Sequence, residues 1–147
     1  SDAAEQILWG IKHADVVKIS EEEIHLLLNE SPEEGARRLV EKFDVKLVLA
    51  TMGKKGVFFA NKNASGLVFA FTNLKTIDTT GAGDIFGGSA VYKLMTCGKK
   101  PEELSCEELT EICRFANAMA GISTTRSGGL PSVPTRFEAE EFLKSLT

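Results

Sequence analysis

Residues 75–88 read KTIDTTGAGDIFGG, placing four glycines and two aspartates just ahead of an otherwise good helix-forming stretch, SAVYKLM. Glycine inside a helix costs roughly 1 kcal/mol relative to alanine, so Gly87 and Gly88 imply that something approaches closely there. Gly81, Ala82 and Gly83 fall between the extended IDTT and the helix, where their amides and that of Asp84 can point outward together. Unpaired amides at a helix N-terminus make an anion site. The missing side chains at Gly81 and Gly83 would let a phosphate reach the backbone, and Gly87 and Gly88 would let the helix pack closely on a sheet or a nucleotide. Asp84 is the odd member, because a carboxylate beside an anion hole repels a phosphate unless it has a task. Accepting a proton from an attacking hydroxyl is such a task, and hole plus base suggests phosphoryl transfer. Taken alone, GAGD also fits a glycine-rich turn with Thr79, Thr80 or Asp84 as the helix N-cap.

Other stretches carry weaker signals. Thr51-Met52-Gly53-Lys54-Lys55-Gly56 has a TxGxxG spacing that by itself is an ordinary connection between strands. Ser20 with Glu23 three residues on makes a capping box with no function required. Asn117 is a polar residue in a helical stretch, and the loop from Ser123 to Ser132 is rich in glycine and proline. His13 and His25 have no partners at metal-binding or nucleophilic spacing and read as helix-surface residues, and Trp9 reads as packing.

These residues need a scaffold, and the periodicities supply one. Ala3 to His13, Glu21 to Asn29 and Pro32 to Phe43 have helical spacing, the last with Ser31 as N-cap and Pro32 at the first helical position. Asp15 to Ile19 reads as a short strand. Lys46 to Thr51 (KLVLAT) is a nearly continuous apolar strand of the kind buried on both faces, and GVFFAN and LVFAFT form a hairpin across KNASG. Helices follow near Asp84 to Thr96, Cys106 to Thr125 and Thr135 to Leu146. Alternating strands and helices argue an α/β fold.

The chain has 147 residues, 43% hydrophobic and 26% charged, which suits one soluble domain with its own core. A net charge of −4 with scattered basic residues offers no footprint for nucleic acid or anionic lipid. The opening SDAAEQILWGIKHAD lacks the basic start and apolar centre of a signal peptide, and no run approaches membrane-spanning length. Cys97, Cys106 and Cys113 fit neither a paired disulfide framework nor a zinc site, which points to a reducing, cytoplasmic setting.

DTTGAGDIFGG resembles the C-terminal signature of the PfkB carbohydrate kinases, the ribokinase-like family, matching through Asp78, Thr79, Thr80, Gly81, Ala82, Gly83, Asp84, Phe86 and Gly88, with Ile85 in place of the more usual alanine. The resemblance covers nearly all of residues 1–147 but only the C-terminal, ATP-binding and catalytic part of a family member. It implies a ribokinase-like three-layer αβα sandwich whose sheet here is mostly parallel with a β-hairpin. It implies ATP-dependent phosphorylation of a sugar hydroxyl, fructose or a related carbohydrate, with Gly81 to Asp84 as the anion hole and Asp84 as the base. Thr51, Gly53 and Gly56 would be a nucleotide-contacting loop, and Asn117 would face the adenine. Glu23 matches the glutamate of the family's NxxE motif, which helps organise Mg2+, and Ser20 stands at its asparagine position, toward the ligand. Asp78 and Thr80, with the carbonyls of Ser123, Arg126 and Gly128 and the Ser132 side chain, look like the family's K+ site. The absent N-terminal half would hold most sugar-binding residues. An isolated C-terminal part is then expected to be inactive, to expose a sheet edge and to self-associate, and a homo-oligomer is in keeping with this. Two other readings stay open: a non-catalytic nucleotide-binding regulatory module on the same fold, and a ribokinase-like kinase for a nucleoside or vitamin.

Overall fold

The computed structural model describes residues 2–128 and 132–147. Four strands, β1 (Val16–Ser20), β2 (Leu47–Thr51), β3 (Val57–Ala60) and β4 (Ser65–Val68), form one sheet in the order β1-β2-β3-β4. Among the described residues six α-helices surround it: α1 (Asp2–Ile11), α2 (Glu21–Leu28), α3 (Pro32–Phe43), α4 (Ala82–Thr96), α5 (Cys106–Thr124) and α6 (Arg136–Ser145). The apolar run KLVLAT supplies β2, whose residues Leu47 to Ala50 are all buried.

Alternation along the strands sorts the core into two faces. Val17, Ile19, Val48, Ala50, Phe58 and Ala60 pack toward Ile11, Ile24, Ala36 and Leu39 of α1 to α3. Leu47, Leu49, Val57, Phe59 and Val68 pack toward Phe86, Ala90, Leu109, Ile112 and Cys113 of α4 and α5. The result is the expected helix-sheet-helix layering. A third cluster, Phe115, Ala118 and Ala139, joins α5 to α6, with Phe71 and Phe142 meeting edge to face at 5.0 Å.

Several expectations need correction. The sheet is mixed: β1 runs parallel to β2, while β2–β3 and β3–β4 are antiparallel. The short turn Met52–Gly56 between β2 and β3 permits only an antiparallel return. The hairpin forms, but β4 ends at Val68 and LVFAFT leaves the sheet from Phe69 onward. Val68 pairs with Val57, the first residue of β3, so the ladder has no partner beyond it. His13 lies past the end of α1, its Nδ1 2.8 Å from the Trp9 carbonyl oxygen. Trp9 is 66% exposed and stacks beside that imidazole, so it is no core residue. Among the described residues β1 has a neighbour on one side only, as expected of a sheet edge, and Leu26 of the adjoining α2 is 81% exposed.

The helix starts follow the sequence closely. Ser31 accepts from the Glu34 amide with Pro32 in the first turn, and Ser20, Ser105 and Thr135 each form a capping box with the glutamate three residues on. Helix α3 lies so close to α2 that a Cβ on Gly35 would sit 2.2 Å from Ile24 Cγ2, and Ile24 is fully buried. In an exposed helix Gly→Ala gains about 1 kcal/mol from propensity. Here the overpacking of a β-branched core residue costs about 1–3 kcal/mol and outweighs that gain. Gly35→Ala is therefore expected to lower the urea midpoint with the slope unchanged; a raised midpoint would contradict this packing.

Candidate active site

The carboxyl ends of the two parallel strands lie side by side, with Ser20 of β1 in register with Thr51 of β2 and Lys18 with Leu49. Crevices outside the carboxyl ends of parallel strands are where open α/β sheets bind ligands. By strand alternation Lys18, Ser20, Leu49 and Thr51 share the face on which Leu49 meets α4 and α5. The first turn of α4 lies over this corner, because the Lys18 side chain passes along its glycines. A Cβ on Gly87 would be 3.2 Å from Lys18 Cδ and 3.4 Å from Cε, and a Cβ on Gly83 would be 3.9 Å from Lys18 Nζ.

Gly81 is the N-cap of α4, with a left-handed backbone at φ 76° and ψ 0° and no side-chain capping bond. That conformation is nearly free for glycine and costs other residues about 1 kcal/mol or more. The N-cap alternatives Thr79, Thr80 and Asp84 are thereby corrected, since none of them caps the helix. Ala82 N donates to Thr79 O at 3.2 Å and Ile85 N to Gly81 O at 2.9 Å. Among the described residues, no acceptor outside the helix takes the amides of Gly83 and Asp84. Asp84 occupies the third helical position, is exposed, and has no hydrogen bond or ion pair at its carboxylate among those residues. Gly88 faces open space, so its missing side chain answers no contact within the chain.

The other anticipated residues fall into two groups. Gly53 and Gly56 shape the turn after Thr51, both at positive φ, 55° and 107°. A Cβ on Gly56 would lie 2.1 Å from Val68 O, so the backbone of β4 alone demands glycine there. Asn117 is buried in α5, and its amide nitrogen donates to Val68 O and Phe69 O at 3.4 and 3.3 Å, tying down the chain where it leaves β4. Ser20 and Glu23 are bonded to each other as a cap: Ser20 N donates to Glu23 Oε2 at 2.8 Å and Glu23 N to Ser20 Oγ at 3.2 Å. The bland capping role of this pair is thus realised.

Asp78 does meet the end of α5, and Thr80 is bonded to Asp78. The Ile77 and Asp78 amides both donate to Thr124 O, at 2.7 and 3.0 Å. Asp78 Oδ1 accepts from Thr80 N at 2.9 Å and Oδ2 from Gly128 N at 3.5 Å. Hydrogen bonds from Thr80, then from the Gly128 amide, hold the Asp78 carboxyl below the usual carboxylate range. Ser123 is buried with its hydroxyl donating to Ala120 O, and Arg126 pairs through its side chain with Glu138 while its amide donates to Ser123 O at 3.2 Å. Ser132 is buried, and Gly128 has φ 100°. Gly129, Leu130 and Pro131, also in the anticipated cation loop, lie outside the described residues.

What this corner can do follows from its groups: two open amides, a helix N-terminus and an ammonium attract an anion, while a free carboxylate beside them can take a proton. Lys18 was not singled out from the sequence, although a lone lysine in the apolar VVKIS together with glycines at 83 and 87, one helical turn apart, was the available signal.

Comparison with known proteins identifies the family. The model of the pfkB family carbohydrate kinases matches residues 1–136. The chain therefore belongs to the pfkB family of carbohydrate kinases. It is 35% identical over 144 residues to a probable fructokinase-2 of Arabidopsis thaliana, covering 97% of this chain and 43% of that protein. A double mutant of fructokinase from Vibrio cholerae, with fructose, ADP and a potassium ion bound, aligns with a TM-score of 0.83 at 31% identity over 95% of this chain and 44% of its own. A putative ribokinase II from E. coli, in complex with ATP and Mg2+, aligns with a TM-score of 0.80 at 25% identity over 96% of this chain and 42% of its own. The chain thus spans less than half the length of these relatives. The fold is that of the ribokinase-like proteins, and among the described residues no helix is long and apolar enough to cross a membrane.

Proposed function

We propose that this chain carries the nucleotide-phosphate and base portion of an ATP-dependent kinase acting on a sugar hydroxyl, fructose or a related carbohydrate. The observation that carries the reading is the left-handed Gly81 cap, which leaves the Gly83 and Asp84 amides open beside an unpaired Asp84 carboxylate. Relatives named fructokinase support the substrate class. In this reading Gly81, Ala82, Gly83 and Asp84 hold the transferred phosphate, their amides matching the charge that spreads over its oxygens. Asp84 would orient the acceptor hydroxyl and take its proton as that oxygen bonds to the γ-phosphorus of ATP and the bond from this phosphorus to the bridging oxygen breaks, with ADP leaving. Thr51, Gly53, Gly56 and Asn117 shape the nucleotide side, with Ser20 and Glu23 at the Mg2+ side. When bound, ATP with Mg2+ supplies the phosphoryl group and neutralises its charge.

Asp78, Thr80, Ser123, Arg126, Gly128 and Ser132 would hold K+ and keep the segment before Gly81 against the end of α5. The sugar-recognising residues would lie in sequence that the relatives have and this chain does not span. Without them the isolated chain is expected to be inactive. A non-catalytic nucleotide-binding module on the same fold remains the competing reading, and Asp84 separates the two.

In the protein expressed from its complete reading frame, Asp84→Asn should cut turnover about 10²- to 10⁴-fold, the usual contribution of a positioned base. It should leave ATP affinity equal or slightly improved, because a negative charge near the phosphates is removed. Wild-type turnover in this variant would reject Asp84 as the base and return it to a structural role. The cation reading predicts faster turnover in potassium than in sodium at equal ionic strength, and equal rates would remove it.

A further inference from the structure

Helix α4 is apolar on every side: of its residues AGDIFGGSAVYKLMT only Asp84 and Lys93 are charged. Phe86 and Ala90 are buried against the sheet, yet Val91, Tyr92 and Met95 are 48%, 42% and 80% exposed. A helix that is apolar all round belongs inside a larger body than one sheet face provides. Its uncovered side carries Ile85, Gly88, Ser89 and Tyr92, spaced i, i+3, i+4 and i+7, along a groove of about 550 Å³ whose lining continues with Phe115 and Met119 of α5. A Cβ at Gly88 would meet nothing within 4 Å, so this glycine gives up helix propensity for no contact within the chain. Ser89 is only 7% exposed, and its hydroxyl has no hydrogen bond among the described residues. A hydroxyl so enclosed calls for a partner. The cations at the groove are engaged already: Arg136 donates to the Tyr92 hydroxyl at 2.9 Å and pairs with Glu140 at 3.2 Å, and Lys93 lies over the Phe115 ring at 4.3 Å. The groove therefore suits an apolar occupant with one polar atom for Ser89, not an anion.

We propose that this groove seats an α-helix from the part of the complete polypeptide that the relatives have and this chain does not span. The match takes in 43% of one relative and 44% of another, so more than half of each lies outside it, ample to cover an open helix face. Side chains at i, i+3, i+4 and i+7 form the ridges between which a second helix packs, and a glycine among them lets the two backbones come close. Gly88 thus gains the contact it lacks within this chain, and Ser89 gains an acceptor or donor on the incoming helix. A second copy of this chain and a small amphiphilic molecule are the competing occupants.

The test uses the protein expressed from its complete reading frame and has two arms. In urea, Gly88→Ala should lower the unfolding midpoint, because the added methyl presses on the seated helix. An open groove predicts the opposite sign, since alanine is the better helix former and meets nothing, so a raised midpoint would overturn the proposal. In the second arm a photoreactive benzoylphenylalanine replaces Met95, one turn beyond Tyr92 on the same side of α4, which leaves the groove itself unaltered and does not depend on the alanine variant folding. Irradiation should join it to a peptide of the same polypeptide from outside these 147 residues, identified by mass spectrometry. Crosslinks to a second copy, crosslinks confined to these residues, or none at all would each overturn the assignment.

Discussion

A backbone amide shut away from water with no acceptor costs about 1–3 kcal/mol, so a helix that begins with open amides must keep its first turn where an acceptor can reach it. Helix α4 is built around that constraint. A Ser, Thr or Asp at its N-cap would have closed the turn, as Ser20, Ser31, Ser105 and Thr135 close four of the other helices. Gly81 instead turns the chain through a left-handed conformation and offers no side-chain acceptor. The amides that result are held at the mouth of the crevice where β1 and β2 end.

That position is fixed by packing from below. Strand β2 is buried on both sides and pairs in parallel with β1, so the two carboxyl ends stay level. Phe86 and Ala90 anchor α4 to the sheet through the cluster of Leu49, Phe59 and Leu109, each large side chain contributing about 1.5–3 kcal/mol by its burial. The opposite side of the segment is tied by backbone bonds from Ile77 and Asp78 to Thr124 and by the Asp78 carboxylate to Gly128. The glycine turn therefore hangs between two rigid bodies, the sheet and the end of α5, which suits a cradle whose geometry must not relax when a phosphate binds.

Local chemistry was legible in the sequence because it depends on neighbours in the chain. The capping signals at Ser20 and Ser31, the buried character of KLVLAT and a hairpin between β3 and β4 stand in the structure, though the turn is shorter than KNASG because Ser65 and Gly66 already pair with Ala60 and Phe59. Features set by distant partners were not. Nothing near Phe69 says that β3 runs out of residues to pair with it, and nothing near Asn117 says that its amide reaches two carbonyls beyond β4. The lysine at 18 and the glycines at 83 and 87 are separated by more than sixty residues, and only the register of β1 on β2 beneath α4 brings them together. Gly56 shows the reverse case: the family resemblance implied nucleotide contact, while the approach of Val68 is sufficient to require a glycine there.

The central claim is that the first turn of α4 is the anion site, and amide chemical shifts measure it directly. Adding MgATP to 15N-labelled protein should move the amides of Gly81, Gly83 and Asp84 more than those of the capped first turns of α3 and α6. Shifts confined to other parts of the molecule, with these three unmoved at saturating MgATP, would contradict the account.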